Sequence, residues 1–308
     1  MKAMTYARYG GPEVLELTTD RPKPKVPPGF ALVRVVASAV NPVDWKLMAG
    51  GLDPLMDVHF PVVPGWDVAG VVEELGVDTY QFEVGDEVVA NGRRDEVQHG
   101  TAAEYVSLPA RVLARKPASL SWEQAAGLPL AGLTAYQTVR RLGVGADDTV
   151  LIHGGAGGVG QTGVQVARAL GARVIATASE RNHDHLRALG AEPVSYGDGL
   201  TERVRGLAPD SVTVVADFVG GVLDTTLAVL APGGRHASIA DAEVEQHGGR
   251  WIWVVSDGAD LASLGELADA GKLTVDVSST YPLERLADAY RESMGGHTRG
   301  KIVVTTGD

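Results

Sequence analysis

Hydrophobic and polar positions change their spacing twice along the chain. In the N-terminal third, short β-branched runs at 32–36 (LVRVV), 68–72 (VAGVV), 87–90 (EVVA) and 103–106 (AEYV) are punctuated by Gly and Pro at 27–29, 64–65, 70, 76 and 85–86. Short strands with frequent turns predict a small barrel or sandwich. Near Ser121 the spacing changes. Ser121 with Gln124 three residues later forms a capping-box pattern, and helical and strand signals then alternate: 123–142, 149–153, 157–170, 173–179 and 182–189, with strands at 193–196, 212–219 and 235–239. That alternation predicts βαβ units and a parallel sheet. The run 251–255 (WIWVV) reads as a last strand at a sheet edge, where a second subunit would cover it. The tail reads as helix 261–270, strand 273–277, helix 283–294 and closing strand 301–306, and is expected to return to the first domain.

Within the alternating region, 149–171 (TVLIHGGAGGVGQTGVQVARALG) stands out. An apolar run ends in glycines, and Val159, Gly163, Val166, Ala167 and Leu170 then fall on one helical face. Gly155, Gly157 and Gly160 fit GxGxxG between a strand and a helix. Glycine permits the tight turn and lets backbone approach a pyrophosphate, and the helix start offers free N–H groups and the positive end of its dipole. Gly158 and Val159 belong to the same turn. This setting predicts a dinucleotide site.

Composition narrows the classes. A net charge of −12 argues against a nucleic-acid or anionic-membrane surface. The chain has no cysteine, which excludes disulfides, a cysteine nucleophile, iron–sulfur clusters and thiolate zinc sites, and is compatible with a cytoplasmic location. The first residues lack the apolar core of a signal peptide, and no run of eighteen apolar residues predicts a membrane span.

Over nearly its whole length the sequence resembles the medium-chain dehydrogenase/reductase superfamily, in its zinc-free quinone oxidoreductase (zeta-crystallin-like) branch. The matching pieces are Asn41-Pro42-Val43-Asp44, Pro64-Gly65-Trp66-Asp67-Val68-Ala69-Gly70, Gly132-Leu133-Thr134-Ala135-Tyr136, the glycine loop, and Arg299-Gly300-Lys301-Ile302-Val303. The resemblance implies an α/β protein with a GroES-like β-barrel domain built from 1–122 and 259–308. A Rossmann domain with a doubly wound parallel sheet, 123–258, would lie between them, and coenzyme and substrate would share the cleft. It also sharpens an absence. Zinc-dependent relatives place a cysteine near position 39 and Gly-His-Glu near 65, where this chain reads Ser38-Ala39-Val40 and Gly65-Trp66-Asp67. Without those donors a Lewis-acid metal is not expected, and Trp66 should fill the space as core or pocket wall.

The second strand of the βαβ region is followed by Ser179-Glu180-Arg181-Asn182. Ser179 stands where an NAD-binding fold places its ribose carboxylate, and Arg181 can pair with a 2′-phosphate. NADPH is therefore expected over NADH, although Glu180 is one register step away and Arg181 also reads as a solvated helix-start residue. By resemblance, Tyr196 lies beside the adenosine phosphate and Thr134 approaches the nicotinamide-side phosphate. Tyr196 reads equally as a rim residue, and Thr134 as a helix residue bonded to its own backbone. Phe218, Val219 and Gly220 end the fourth strand, where backbone and apolar contacts to nicotinamide are expected; Asp217 either fixes that turn or touches coenzyme. In the first domain, Asn41 is the leading candidate for a polar contact in the cleft and Asp44 the next, or else a helix cap. Lys46 and Lys301 either reach the coenzyme or are surface charges. His183 and His185 point apart on a helix, so no metal site is expected there, and His153 reads as packed rather than catalytic.

With no metal and no evident general acid, the substrate should need little activation. A quinone or an α,β-unsaturated carbonyl accepts hydride directly, so catalysis would rest on holding the nicotinamide near the acceptor with a hydrogen-bond donor at its oxygen. A specialised enone or enoyl-thioester reductase is the alternative; the tyrosine that enoyl-thioester reductases carry after Asn-Pro is missing from 46–56. A non-catalytic NADPH-binding sensor or structural protein is the alternative outside enzymes.

Overall fold

The computed structural model describes residues 1–209, 212–296 and 298–307. The chain divides into two compact units, 1–130 with 256–308, and 131–255.

The first unit is organised around the long strand Phe30–Val40, which pairs antiparallel with Asp67–Leu75, Tyr105–Pro109 and Lys301–Thr305. Asp67–Leu75 continues the sheet to Glu87–Asn91 and Leu113–Arg115, while Val277–Pro282 lies parallel to Lys301–Thr305 at the other side. Alternate residues Ala31, Val33 and Val35 point into a core shared with Val68, Val72, Val88, Val106 and Leu108, as the pleat of a one-sided sheet requires. The tail thus returns to the first barrel as expected. Phe30–Val40 runs directly into the helix Pro42–Met48, whose first position is a proline that loses no hydrogen bond there.

The second unit is a six-stranded parallel sheet in the order Glu192–Ser195, Arg173–Ala178, Thr149–His153, Val212–Asp217, Leu230–Ser238, Arg250–Trp251. The chain builds outward from Thr149–His153, then crosses back to Val212–Asp217. The switch point of the sheet, where ligands bind in open α/β folds, therefore lies between these two strands. Val150, Ile152, Val174, Ala176, Val214 and Ala216 form one buried face, and Leu151, Ile175 and Val215 the other. A sheet covered on both faces explains why its strands read as continuous apolar runs.

Three elements differ from the sequence reading. The helix expected over 123–142 is two, Trp122–Gly127 and Pro129–Arg141. The Ser121 cap is present, with Gln124 N–H donating to its hydroxyl. Trp122–Gly127 packs on the barrel strands Phe30–Val40 and Asp67–Leu75, so the division between units follows it rather than preceding it. The apolar run 251–255 leaves the ladder after Trp251, because the Gln137 amide takes over the pairing of Val255, accepting from its N–H and donating to its carbonyl, both at 2.9 Å. The strand expected over 273–277 starts at Val277 instead: Leu273 and Val275 are buried without ladder bonds, and the pairing passes to the polar segment Val277–Pro282. Among the described residues no helix is long and apolar enough to cross a membrane.

Candidate functional site

In the second unit the expected coenzyme residues gather at the carboxyl ends of the strands. The turn after Thr149–His153 is shaped by Gly154, which takes φ +76° and donates its N–H to Thr177 Oγ1 at 3.0 Å. Its missing Cβ leaves room for Val219, which would otherwise be met at 2.5 Å, so the glycine turn and the end of Val212–Asp217 lie against each other. Gly155 and Gly160 are glycines for packing. A Cβ on Gly155 would meet Ala176 at 2.7 Å, and one on Gly160 would meet the Gly154 carbonyl at 2.1 Å.

Gly157 is different. Its backbone is extended, a conformation open to any residue, and a Cβ there would meet nothing closer than the Gly154 carbonyl at 3.6 Å. The fold itself does not need glycine at that position, whereas a ligand phosphate pressed against the backbone does. Gly157 caps the helix Gly158–Ala169, and the N–H groups of its first turn at Gly158, Val159 and Gly160 have no intrahelical acceptors. These residues fit a pyrophosphate.

Around this turn, Ser179 follows Arg173–Ala178 and its hydroxyl accepts from Asn182 Nδ2 at 3.1 Å; Arg181 is exposed in the short turn Glu180–Asn182. Tyr196 is exposed just after Glu192–Ser195. Phe218 packs inward against Gly163, while Val219 is more than half exposed. Asp217 fixes the turn: its carboxylate accepts the N–H groups of Val219 and Gly220 and the Ser238 hydroxyl, at 2.7–3.2 Å. Thr134 is buried on the helix Pro129–Arg141 and its carbonyl accepts the Thr138 hydroxyl. His153 is buried beside Asp217. Burial pushes its pKa down to about 4, against the pull of that carboxylate.

In the barrel unit the structure draws together Asn41, Asp44 and Lys301. Lys301 is 5% exposed, so it is no surface charge. Its ammonium donates to the Val40 carbonyl at 3.1 Å and to Asn41 Oδ1 at 2.5 Å, and lies 3.5 Å from Asp67 Oδ2. Asn41 Nδ2 donates in turn to Asp67 Oδ2 at 2.8 Å, and the other Asp67 oxygen accepts the Leu130 N–H at 2.7 Å. That N–H belongs to the first turn of the helix Pro129–Arg141 and has no intrahelical acceptor. Burial pushes Asp67 up while Lys301, Asn41 and Leu130 oppose the shift. The amide of Asn41 is thus spent on protein partners.

Asp44 closes the capping box of Pro42–Met48, its Oδ2 accepting the Asn41 N–H at 2.8 Å. The structure shows the helix-cap role of Asp44, which also lines a small recess with Tyr6, Leu47, Trp66, Arg94 and His99. The recess holds about 20 Å³ of space, room for about one water molecule. Trp66 is buried and forms part of this wall, so it is core and pocket wall at once. Burial pushes the Asp44 carboxyl up to about 7; the Asn41 N–H opposes the rise, the Asp67 charge adds to it and Lys301 subtracts. Lys46, on the same helix, is exposed with its ammonium 5.7 Å from the Trp45 ring centre.

Asp67 is the residue that sequence reading passed over as part of a motif. The available signal was a carboxylate at the head of the apolar strand DVAGVV, where a charge needs a partner. Tyr290, fully buried next to Asp44, left no signal.

A barrel joined to a doubly wound parallel sheet whose switch point carries a glycine turn defines a two-domain dehydrogenase. Residues 27–118 match the alcohol dehydrogenase GroES-like domain and 189–304 a zinc-binding dehydrogenase domain. The chloroplastic NADPH-dependent alkenal/one oxidoreductase of Arabidopsis thaliana is 37% identical over 99% of this chain and 79% of its own length. A 2-methylene-furan-3-one reductase of Solanum lycopersicum is 34% identical over the same shares. Among solved structures, the quinone oxidoreductase of Coxiella burnetii superposes with a TM-score of 0.86 at 33% identity, covering 99% of both chains. A mycobacterial protein complexed with NADPH superposes equally well, TM-score 0.86, at 29% identity over 99% of this chain and 100% of that one. The chain belongs to the medium-chain dehydrogenase/reductase superfamily, in its quinone oxidoreductase branch.

Proposed function

We propose that this enzyme is an NADPH-dependent, metal-independent reductase that delivers hydride to a quinone or an α,β-unsaturated carbonyl. The observation that carries the reading is Gly157, a glycine that neither the backbone nor the packing requires, at the head of a helix with open N–H groups. Gly155, Gly157, Gly158, Val159 and Gly160 would hold the pyrophosphate, Ser179, Arg181 and Tyr196 the adenosine side, and Thr134, Phe218 and Val219 the nicotinamide side. Bound NADPH supplies the hydride. The choice of NADPH rests on Ser179 and Arg181 where a carboxylate would select NADH, and agrees with the NADPH-dependent relative and the NADPH-bound neighbour. The substrate class follows the names of the relatives and the chemistry of the donor set. A chain with no cysteine, and with Trp66 where the resemblance places the histidine of zinc-dependent relatives, lacks the donors those relatives use to polarise an alcohol.

On the barrel side, Asn41 and Lys301 serve as positioning residues: their hydrogen bonds lock the start of Pro42–Met48 and so orient Asp44 and Lys46. Lys46, the exposed cation of that helix, is the one proposed to reach the coenzyme, and Lys301 acts through Asn41. The edge strand Arg250–Trp251, with Trp251 37% exposed and 6.1 Å from the Trp253 ring, is where a second copy would pair in a homodimer. Mass analysis of the product tests the reaction. NADPH deuterated at the transferring position should leave one deuterium on the β-carbon of a saturated carbonyl product; an unlabelled or unreduced substrate would overturn it.

A further inference from the structure

In the second unit, the loop that carries Tyr196 is held by one side chain. Ser195 ends the edge strand Glu192–Ser195, and 196–199 (YGDG) lead into the helix Leu200–Leu207. Arg203, one turn into that helix, reaches back and donates to the carbonyls of Ser195, Tyr196, Gly197 and Asp198. Its Nε meets the Ser195 carbonyl at 3.1 Å and its Nη1 the Asp198 carbonyl at 2.8 Å. Its Nη2 meets the Ser195 carbonyl at 2.8 Å and is shared with those of Gly197 and Tyr196 at 3.3 and 3.4 Å. Only the planar guanidinium fork spans such a set; an ammonium is a single point. The carbonyls converge because Gly197 and Gly199 take φ +91° and +74°, a backbone that glycine adopts without strain. The clamp does little for the fold as a whole, since Arg203 is exposed and exposed charged contacts contribute little to stability. It lies, however, against the proposed adenosine side. Ala178 and Ser195 are paired in register, so the clamped loop and the turn with Ser179 and Arg181 leave the sheet side by side. Between them His183 Nε2 stands 3.5 Å from Ser195 Oγ and 3.4 Å from the Ala178 carbonyl.

We propose that Arg203 is a positioning residue of the coenzyme site: it orders 196–199 in the ligand-free protein and so holds Tyr196 ready for the adenosine half of NADPH. The inference rests on the reading that NADPH binds at this end of the sheet. A loop with two glycines in the left-handed region has many conformations when nothing holds it. If it were ordered only by the coenzyme, that loss of freedom would be subtracted from the affinity. The clamp moves the ordering from the binding step to folding. All three guanidinium nitrogens are engaged with backbone carbonyls, so Arg203 acts through the loop rather than on the coenzyme. That separates it from Arg181, the residue proposed to read the 2′-phosphate itself.

Calorimetry separates this role from a merely structural one. Arg203→Ala should weaken NADPH binding roughly tenfold, and weaken adenosine 2′,5′-bisphosphate, which carries only the adenosine half, by about the same factor. At saturating NADPH its kcat should stay within about twofold of the wild type, because the hydride end is untouched. In a Tyr196→Ala background the same substitution should change NADPH affinity by less than about twofold, since the side chain it positions is gone. A readout free of coenzyme is limited proteolysis by chymotrypsin, which cuts after aromatic residues. Ligand-free Arg203→Ala should be cut after Tyr196 about fivefold faster than the wild type or more, while its urea midpoint stays close to the wild-type value. Unchanged affinity in Arg203→Ala, additive losses in the double variant, or wild-type cleavage at Tyr196 would overturn the proposal. A wild-type protein that binds neither NADPH nor the bisphosphate would instead overturn the coenzyme reading, and the cleavage rates would still decide whether Arg203 orders the loop.

Discussion

Lys301 Nζ donates to Asn41 Oδ1 at 2.5 Å, tying the closing strand of the chain to the residue that caps the helix Pro42–Met48. Asp67 completes the contact as the counter-charge, and all three side chains are almost wholly withdrawn from water. Removing one partner of such a pair leaves an uncompensated buried charge. Asp67→Ala should cost about 3–5 kcal/mol in chemical denaturation, because Lys301 is stranded and the Leu130 N–H loses its acceptor. The double variant Asp67→Ala/Lys301→Met should recover part of that loss. A double variant as unstable as the sum of the singles would show that the pair is not coupled.

Gly157 and Gly160 lie three residues apart and should respond in opposite ways to the same methyl group. Gly160→Ala drives a Cβ into the Gly154 carbonyl, so it should destabilise the fold by about 2–3 kcal/mol. Gly157→Ala should change stability by less than about 0.5 kcal/mol. Its NADPH affinity, measured by calorimetry, should nevertheless fall roughly tenfold or more, equivalent to about 1.4 kcal/mol. Wild-type affinity in Gly157→Ala would remove the pyrophosphate from this turn.

Arg181 is the residue proposed to read the 2′-phosphate. Losing one charge-assisted contact of about 1.5 kcal/mol raises KM by roughly tenfold. Arg181→Ala should therefore raise KM for NADPH by about that factor and leave KM for NADH nearly unchanged. Equal effects on both coenzymes would reassign Arg181 to a general surface role.

His153 makes stability depend on pH. Its folded value near 4 lies below the ordinary 6.5, so the unfolded chain takes up a proton first as pH falls. The stability that His153 contributes is complete above about pH 6.5 and is lost as pH falls toward about 4. Its size is on the order of 3 kcal/mol. His153→Gln should flatten the fall in stability across that window in urea denaturation; an unchanged slope would assign the acid sensitivity to other groups.

What the sequence disclosed and what it hid divide along distance in the chain. The glycine turn at 154–160 is local, and its spacing alone announced the strand–turn–helix unit. The Ser121–Gln124 cap is local too, as is the Asn41–Asp44 box. The contacts that pattern could not disclose join distant residues. Lys301 meets Asn41 across 260 positions, and Gln137 meets Val255 across 118, replacing ladder bonds that an apolar run seemed to promise. Tyr290 shows the same limit: nothing in LADAYRESM says that its hydroxyl is buried beside a carboxylate from the first helix.

The central claim, that this enzyme transfers hydride from NADPH to an activated acceptor without a metal, is tested by following absorbance at 340 nm. The protein would be dialysed against a chelator and offered a broad panel of quinones and α,β-unsaturated carbonyls. NADPH should be consumed with at least one compound of the panel, at a rate that added zinc does not raise. No loss of absorbance across the panel, or activity that returns only with zinc, would contradict the account.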